Sequence, residues 1–213
     1  MKAGKVRSNL FSRPHSPGSL AATTDGNGRV SLLVCNNYKN RVTAHTLAAA
    51  DDYRPKHHRV AIYRGLKLPD GIAVSTDGRW VAVASHLKHA VNVYDAAAGL
   101  NWRTPPVASL RGGYYPHGLR FSPSGRLFVV DAGSPYVLWY DPRGSWSGVH
   151  QPSGRRRLMD DEMFESQRPN PREGGAKGVD VDRTGVVLAI TCHQLPLRLY
   201  ALDQFVESQE GVV

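Results

Sequence analysis

The sequence predicts an all-β protein, a β-propeller of four-stranded antiparallel blades, and its main evidence is a fourfold internal repeat. Three copies run from a glycine through a tight turn into a short apolar strand, and a looser copy precedes them. The four copies begin at Ser19, Gly71, Gly118 and Gly178. Their spacing of about 50 residues is typical of propeller blades. A β-sandwich, the alternative all-β fold, predicts no such repeat.

Each copy opens with two predicted strands joined by a hairpin. In the second copy, residues 71–74 lead through a turn at 76–79 into the apolar run 80–85. Glycine in this turn supplies the positive φ that the hairpin requires. A further β-rich run follows in every copy, and one more completes the first two copies: 41–45 and 59–63, 91–94 and 107–110, 136–140, and 197–200. We therefore predict four strands per blade.

The whole chain, residues 1–213, is predicted to form one domain. The expected blades cover about 19–63, 71–110, 118–158 and 178–213. The last copy lacks a fourth strand, and residues 5–11 have the pattern of an outer strand. This segment is expected either to close the ring or to belong to a preceding blade. Since four blades is the low end for propellers, the chain could also be part of a six-bladed ring that missing blades or an oligomeric partner complete.

The third copy is longer than the others, and its extra residues lie at 142–176. This stretch is rich in Pro, Gly, Ser and Arg, so we predict a loop insertion. The alternative for residues 158–164 is one or two helical turns. Insertions of this kind often carry a lid or a docking element.

The charge and the composition limit the classes of partner that the chain is expected to bind. The net charge is +9, from 27 Lys and Arg against 18 Asp and Glu, but the basic residues are scattered and 155–157 is the only tight run. A nucleic-acid partner is therefore not favoured. No apolar stretch approaches the roughly 18 residues of a membrane span, and no apolar signal segment follows residue 1. We expect no membrane partner, and a cytoplasmic location is the default.

Two blades carry a resemblance to known propellers. Residues 68–78 with 91–95, and residues 115–131, resemble blades of NHL-repeat proteins and equally those of the gluconolactonase and strictosidine-synthase-like superfamily. As a repeat, the resemblance covers nearly the whole chain. It implies the fold strongly and the function weakly, because this blade pattern serves enzymes and binding scaffolds alike.

The resemblance to gluconolactonase-like enzymes also implies a divalent cation, such as calcium. In those enzymes the residue before the blade glycine points into the central channel and holds the ion. The matching residues here are Gly18, Asp70, His117 and Lys177. Asp70 matches the Pro-Asp-Gly ligand, and His117 stands where an amide is usual. The Lys177 ammonium has no lone pair to offer, and no glutamate precedes Asp25, so the implied ligand set is incomplete.

The repeat predicts a polar cluster with or without a metal. In an up-and-down blade, the connection into the first strand and the connection after the second strand emerge at the same face. We therefore expect Asp70, His117 and Lys177 to meet at one channel mouth. Four loop residues are expected on the same face and are predicted to bind ligand: Asn36, His86, Asp131 and His193. Imidazoles, a carboxylate and an ammonium at one place can support acid–base chemistry or anion capture.

Two functions remain open from the sequence. The first is a binding module that presents this surface to a protein or a small polar ligand. The alternative is a lactonase or hydrolase acting on a sugar lactone or related ester, with or without a metal, in which Asp70 and His117 are catalytic. The sequence contains no nucleophile elbow, phosphate-binding loop or zinc-ligand spacing. Binding requires only the scaffold and its polar loops, and is therefore favoured.

Overall fold

Four β-sheets follow one another along the chain in the computed structural model, which describes residues 15–24, 29–54, 57–142, 144–166, 172–193 and 195–208. The first sheet contains β1 (Pro17–Thr24), β2 (Val30–Asn36), β3 (Arg41–Leu47) and β4 (His57–Ile62). The second contains β5 (Pro69–Val74), β6 (Trp80–Ser85), β7 (Ala90–Asp95), β8 (Ala108–Leu110) and a later strand, β12 (Gly148–His150). The third contains β9 (Pro116–Phe121), β10 (Leu127–Asp131), β11 (Tyr136–Tyr140) and β13 (Gly154–Arg157). The fourth contains β14 (Gly178–Val181), β15 (Val187–Thr191) and β16 (Arg198–Ala201).

These sheets form a four-bladed β-propeller arrangement, which confirms the predicted fold. Neighbouring strands of each sheet are antiparallel, except for β8 and β12 in the second sheet, which are parallel. The first strand of each sheet lies innermost, so that β1 packs beside β5, β5 beside β9 and β9 beside β14. The strands β14 and β1 do not pack together in this way.

The repeat glycines let the innermost strands approach closely. A Cβ atom added to Gly71 would overlap the carbonyl oxygen of His117 on the next inner strand. At Gly118 it would lie 2.6 Å from the carbonyl oxygen of Lys177. A side chain at either position would push neighbouring blades apart, which explains why the repeat carries glycine there.

An apolar core lies between each pair of neighbouring sheets. Leu33, Ile62 and Val83 belong to the core between the first and second sheets. Leu110, Leu119 and Tyr140 belong to the next core, and Phe128, Trp139, Leu188 and Phe205 to the third. Since each sheet buries its faces only against its neighbours, the repeat specifies a stack of blades.

The prediction of a loop at 142–176 is wrong for much of that segment. Trp146 is buried against Phe121, with ring centroids 6.2 Å apart. Its burial anchors β12, which pairs in parallel with β8 of the preceding sheet. β13 then completes the third sheet, and α1 (Asp161–Ser166) follows, anchored by the buried Phe164. The helical alternative for 158–164 was therefore the better one. The segment is ordered by the burial of single aromatic side chains and not by a periodic pattern of apolar residues.

The fourth sheet has three strands, as predicted, and a helix follows it. The helix α2 (Leu202–Glu207) buries Phe205, whose ring lies 4.8 Å from the guanidinium of Arg156. The predicted outer strand at 5–11 lies outside the described residues. Neither helix in the described part of the chain has the length or apolar character needed to cross a bilayer.

Candidate functional site

Four strands and one connecting segment place five ionisable side chains at one mouth of the channel. Asp70 is the second residue of β5, His117 is the second residue of β9, and Lys177 directly precedes β14. His86 follows the end of β6, and Glu173 comes from the segment between α1 and β14. We call these five residues the mouth cluster. The structure thus brings together four of the residues selected from the sequence and adds Glu173.

His117 lies between two oxygen acceptors. Its Nε2 is 3.1 Å from Oδ2 of Asp70, and its Nδ1 is 3.0 Å from the carbonyl oxygen of Lys177. A neutral imidazole carries one N–H, so it can donate to only one of the two. The other nitrogen then presents a lone pair to an oxygen lone pair.

His86 is held in the same manner. Its Nε2 is 3.1 Å from Oε1 of Glu173, and its Nδ1 is 3.4 Å from the carbonyl oxygen of Pro116. Oδ2 of Asp70 lies 3.9 Å from the same Nδ1. The Lys177 ammonium forms an ion pair with the second oxygen of Glu173. The five side chains are therefore joined into one network of hydrogen bonds and ion pairs.

Burial and neighbouring charges act on the cluster in opposite directions. Burial lowers the pKa of His117 below its usual value, Asp70 opposes this effect, and Lys177 and His86 lower the pKa further. Burial would raise the pKa of Glu173, but the hydrogen bond and charge of Lys177, together with His86, outweigh burial and lower it. Glu173 is thereby held as a carboxylate beside the ammonium.

The lowered pKa of His117 predicts a pH dependence of stability. The unfolded chain binds a proton at this residue more readily than the folded protein does. The free energy of unfolding should therefore fall as the pH drops below about 6.5, the ordinary histidine value. Urea denaturation at a series of pH values checks this. The His117→Gln variant keeps a polar side chain and should show a flatter profile, and an equally steep one would contradict the assignment to His117.

Asn37 is a neighbour of the cluster that the repeat could have revealed. It follows β2 as His86 follows β6, and its Nδ2 donates to Oδ1 of Asp70 at 3.0 Å. Its Oδ1 is buried and has no hydrogen-bond partner in the part of the chain that the structure describes. The hydroxyl of Ser19 donates to the Asp70 backbone carbonyl. Asp70 is therefore fixed from the first blade as well as from the third.

The structure argues for structural roles at two residues that the sequence assigned to ligand binding. Asn36 is buried and donates to the Val34 carbonyl at 2.9 Å and to the Thr43 hydroxyl at 3.1 Å. Asp131 is fully buried and accepts four hydrogen bonds. Both are the last residues of their strands, and the polar atoms of both form hydrogen bonds inside the fold. His193, in contrast, follows β15 and is exposed.

The residues present do not fit the cation site that the resemblance implies. Calcium takes six to eight oxygen ligands, whereas the matching positions offer one carboxylate, one imidazole, the ammonium of Lys177 and the side-chain-free Gly18. No three His, Cys, Asp or Glu side chains among the described residues are arranged to hold a metal ion. The cationic partner of Glu173 in this site is Lys177.

A separate cavity of about 450 Å³ lies at the opposite end of the channel. Thr23, Ser75, Arg120, Phe121 and Asp182 are among its lining residues. They stand at the far ends of the four innermost strands, away from the mouth cluster. Two of its three charged residues are engaged within the fold, since Arg120 pairs with Asp180 at 2.8 Å and Asp182 accepts bonds from its own turn, while the third is Arg183. Among the described residues that line it there is no imidazole and no joined network of ionisable groups like that of the mouth cluster. We therefore place the candidate site at the mouth.

Comparison with known proteins supports the architecture. No protein-family model matches the chain. Among solved structures, the chain is similar to Kuenenia stuttgartiensis hydrazine synthase, with 16% sequence identity and a TM-score of 0.59. The match covers 94% of this chain and 50% of that one, so the chain spans half of that protein's length. At this identity the likeness shows the propeller-like fold alone.

Proposed function

We propose that this chain is a non-catalytic β-propeller module that binds a small polar ligand at the mouth cluster. The observation that carries the proposal is the orientation of both imidazoles toward the protein. Each ring nitrogen of His86 and His117 already faces an oxygen of the protein. A general base needs a free nitrogen within reach of the substrate proton. The cluster is better suited to recognition than to proton transfer.

The exposed part of the cluster favours a ligand with an anionic group. The Lys177 side chain is 36% exposed, whereas that of Asp70 is 14% exposed. A ligand that enters from solvent therefore meets the ammonium before the carboxylates. The ammonium has three N–H donors and uses one on Glu173, which leaves donors for a ligand carboxylate. A hydroxylated carboxylate, such as a sugar acid, matches this combination of donors and acceptors.

Removal of the ammonium should weaken binding of such a ligand. Lys177→Met is expected to raise the Kd for gluconate at least about tenfold, because a charge-assisted hydrogen bond of about 1.5–3 kcal/mol is lost. Isothermal titration calorimetry checks this, with glucose as the uncharged comparison. Lys88→Met is the matched control, since Lys88 is an exposed lysine outside the cluster. If gluconate does not bind the wild type, or if both variants lose the same affinity for gluconate, the proposal is wrong.

One observation favours the alternative, a hydrolase acting on a lactone or related ester. The Asp70 carboxylate and the His117 imidazole form a pair at 3.1 Å, and such pairs serve as acid–base groups in enzymes. For this role, His117 must first release either Asp70 or the Lys177 carbonyl. Hydrolysis of gluconolactone above its spontaneous rate, and its loss in His117→Gln, would support the hydrolase over the binding module.

A further inference from the structure

Four basic residues lie next to one another in the loops at the mouth end of the first three sheets. We call Lys39, Lys67, Lys88 and Arg111 the basic arc. Lys39 and Lys88 occupy equivalent places in the short turns after β2 and β6, Lys67 precedes β5, and Arg111 follows β8. These residues are far apart in the sequence, so a basic patch could not be recognised from the sequence alone. The fold of the repeat brings the four residues to the same end of the sheets.

Hydrogen bonds between the loops make the arc continuous. Asn40, beside Lys39, accepts a bond on its side-chain oxygen from the backbone N–H of Leu68, at 2.8 Å. The carbonyl of Lys67 accepts the backbone N–H of Leu87 at 3.3 Å. The guanidinium of Arg111 donates to the carbonyl of Lys88 at 3.2 Å. Each basic residue is therefore linked to the next through an immediate neighbour.

The positive charge of the arc is not neutralised by the part of the chain that the structure describes. All four residues are exposed. None of them forms an ion pair with any of the residues described, and the nearby Asp70 and Glu173 are already paired inside the mouth cluster. A run of one sign of charge raises the local concentration of an oppositely charged partner and speeds its association.

Exposed apolar side chains alternate with these charges. Tyr38 precedes Lys39 and Leu87 precedes Lys88, and both side chains are exposed. Tyr114 is also exposed, and its carbonyl accepts a bond from His89, the residue after Lys88. Large apolar side chains among basic ones suit a partner that offers acidic and apolar groups together.

We propose that the basic arc, with Tyr38, Leu87 and Tyr114, is a docking surface for an acidic peptide segment of a partner protein. Charge complementarity selects the acidic groups, and the three exposed side chains take apolar ones. Three of the four basic residues are lysines and one of the three apolar residues is a leucine. The two tyrosines could also stack on the bases of a single-stranded nucleic acid, so the test below includes a single-stranded DNA. The leucine and the predominance of lysine over arginine favour the peptide. This surface is separate from the mouth cluster and does not depend on the ligand proposed for it.

The test is a fluorescence anisotropy titration with a labelled peptide of glutamate and leucine. It is carried out at low salt and at about 0.15 M salt, at which the Debye screening length is about 8 Å. Lys39→Glu and Lys88→Glu are each expected to raise the Kd at least about tenfold, as charge reversal within a patch repels the peptide. Arg183→Glu changes the net charge equally but lies in the hairpin at the opposite end of the fourth sheet. It should leave the Kd nearly unchanged. Circular dichroism establishes that each variant is folded.

Three results would overturn the proposal. The first is no peptide binding at low salt. The second is an equal loss of binding in Arg183→Glu, which would show a response to overall charge and not to the arc. The third is tighter binding of a labelled single-stranded DNA of equal charge, which would assign the surface to nucleic acid. Since Lys177→Met removes the mouth ammonium without touching the arc, it should retain peptide binding, and this separates the two sites.

Discussion

The Asp131→Ala variant is expected to lose a large part of the free energy of unfolding, about 3 kcal/mol or more. One carboxylate oxygen accepts the backbone N–H groups of Tyr115 at 2.6 Å and Gly133 at 3.1 Å. The other accepts the N–H of Tyr114 and the hydroxyl of Ser134, both at 2.8 Å. Alanine would leave four donors, one buried and three partly buried, without this acceptor, which costs far more than losing a surface contact.

Urea denaturation followed by circular dichroism measures this effect. Asp180→Ala is the control, because Asp180 is an exposed aspartate whose ion pair with Arg120 lies at the surface. Such pairs contribute at most about 1 kcal/mol. A loss at Asp131 no larger than the loss at Asp180 would show that the four hydrogen bonds do not hold this loop. The gluconate titration adds a second readout, since Tyr114 and Tyr115 lead directly into Pro116 and His117.

The second large effect is expected at Gly71. In the Gly71→Ala variant, the new methyl group would overlap the His117 carbonyl oxygen. That atom belongs to the backbone and cannot move aside by changing a rotamer, so the second and third blades must separate. We expect a loss of about 3 kcal/mol in unfolding free energy, together with weaker ligand binding, because His117 itself is displaced.

Thermal and chemical denaturation of Gly71→Ala check this expectation. Gly125→Ala is the matched control: Gly125 lies in a hairpin turn with φ +85°, and an added Cβ would meet nothing within 4 Å. That variant should lose only about 1 kcal/mol, the cost of a left-handed backbone with a side chain. Equal losses would show that the blades do not meet as closely at Gly71 as the structure indicates.

The repeat was sufficient to predict the blades because each copy carries its own turn and apolar strand. It also located Asp70, His117 and Lys177, since equivalent positions on successive blades must meet at one mouth. Glu173 could not be found in this way. It comes from the insertion of the third copy, where no repeat position exists, and its pairing with His86 and Lys177 is created only by the tertiary fold.

The buried positions of Asn36 and Asp131 have physical explanations as well. Asn36 lies one position before Asn37, whose side chain contacts Asp70. The Asp131 carboxylate accepts backbone N–H groups of residues 114, 115 and 133, and these bonds arise only from the tertiary fold. The segment 142–176 was expected to be a loop because Gly, Pro and Arg dominate it. Its order depends on Trp146 and Phe164, single aromatic residues whose burial sites are supplied by other parts of the chain.

The parallel pairing of β12 with β8 has a consequence for the order of folding. The second sheet is completed by residues 148–150, which are synthesised after three strands of the third sheet. During synthesis, the outer edge of the second sheet therefore stays open until most of the third sheet has been made. The two middle blades also cannot unravel one at a time from the chain ends, as simple repeat arrays can. Hydrogen exchange should accordingly show both sheets opening as one cooperative unit.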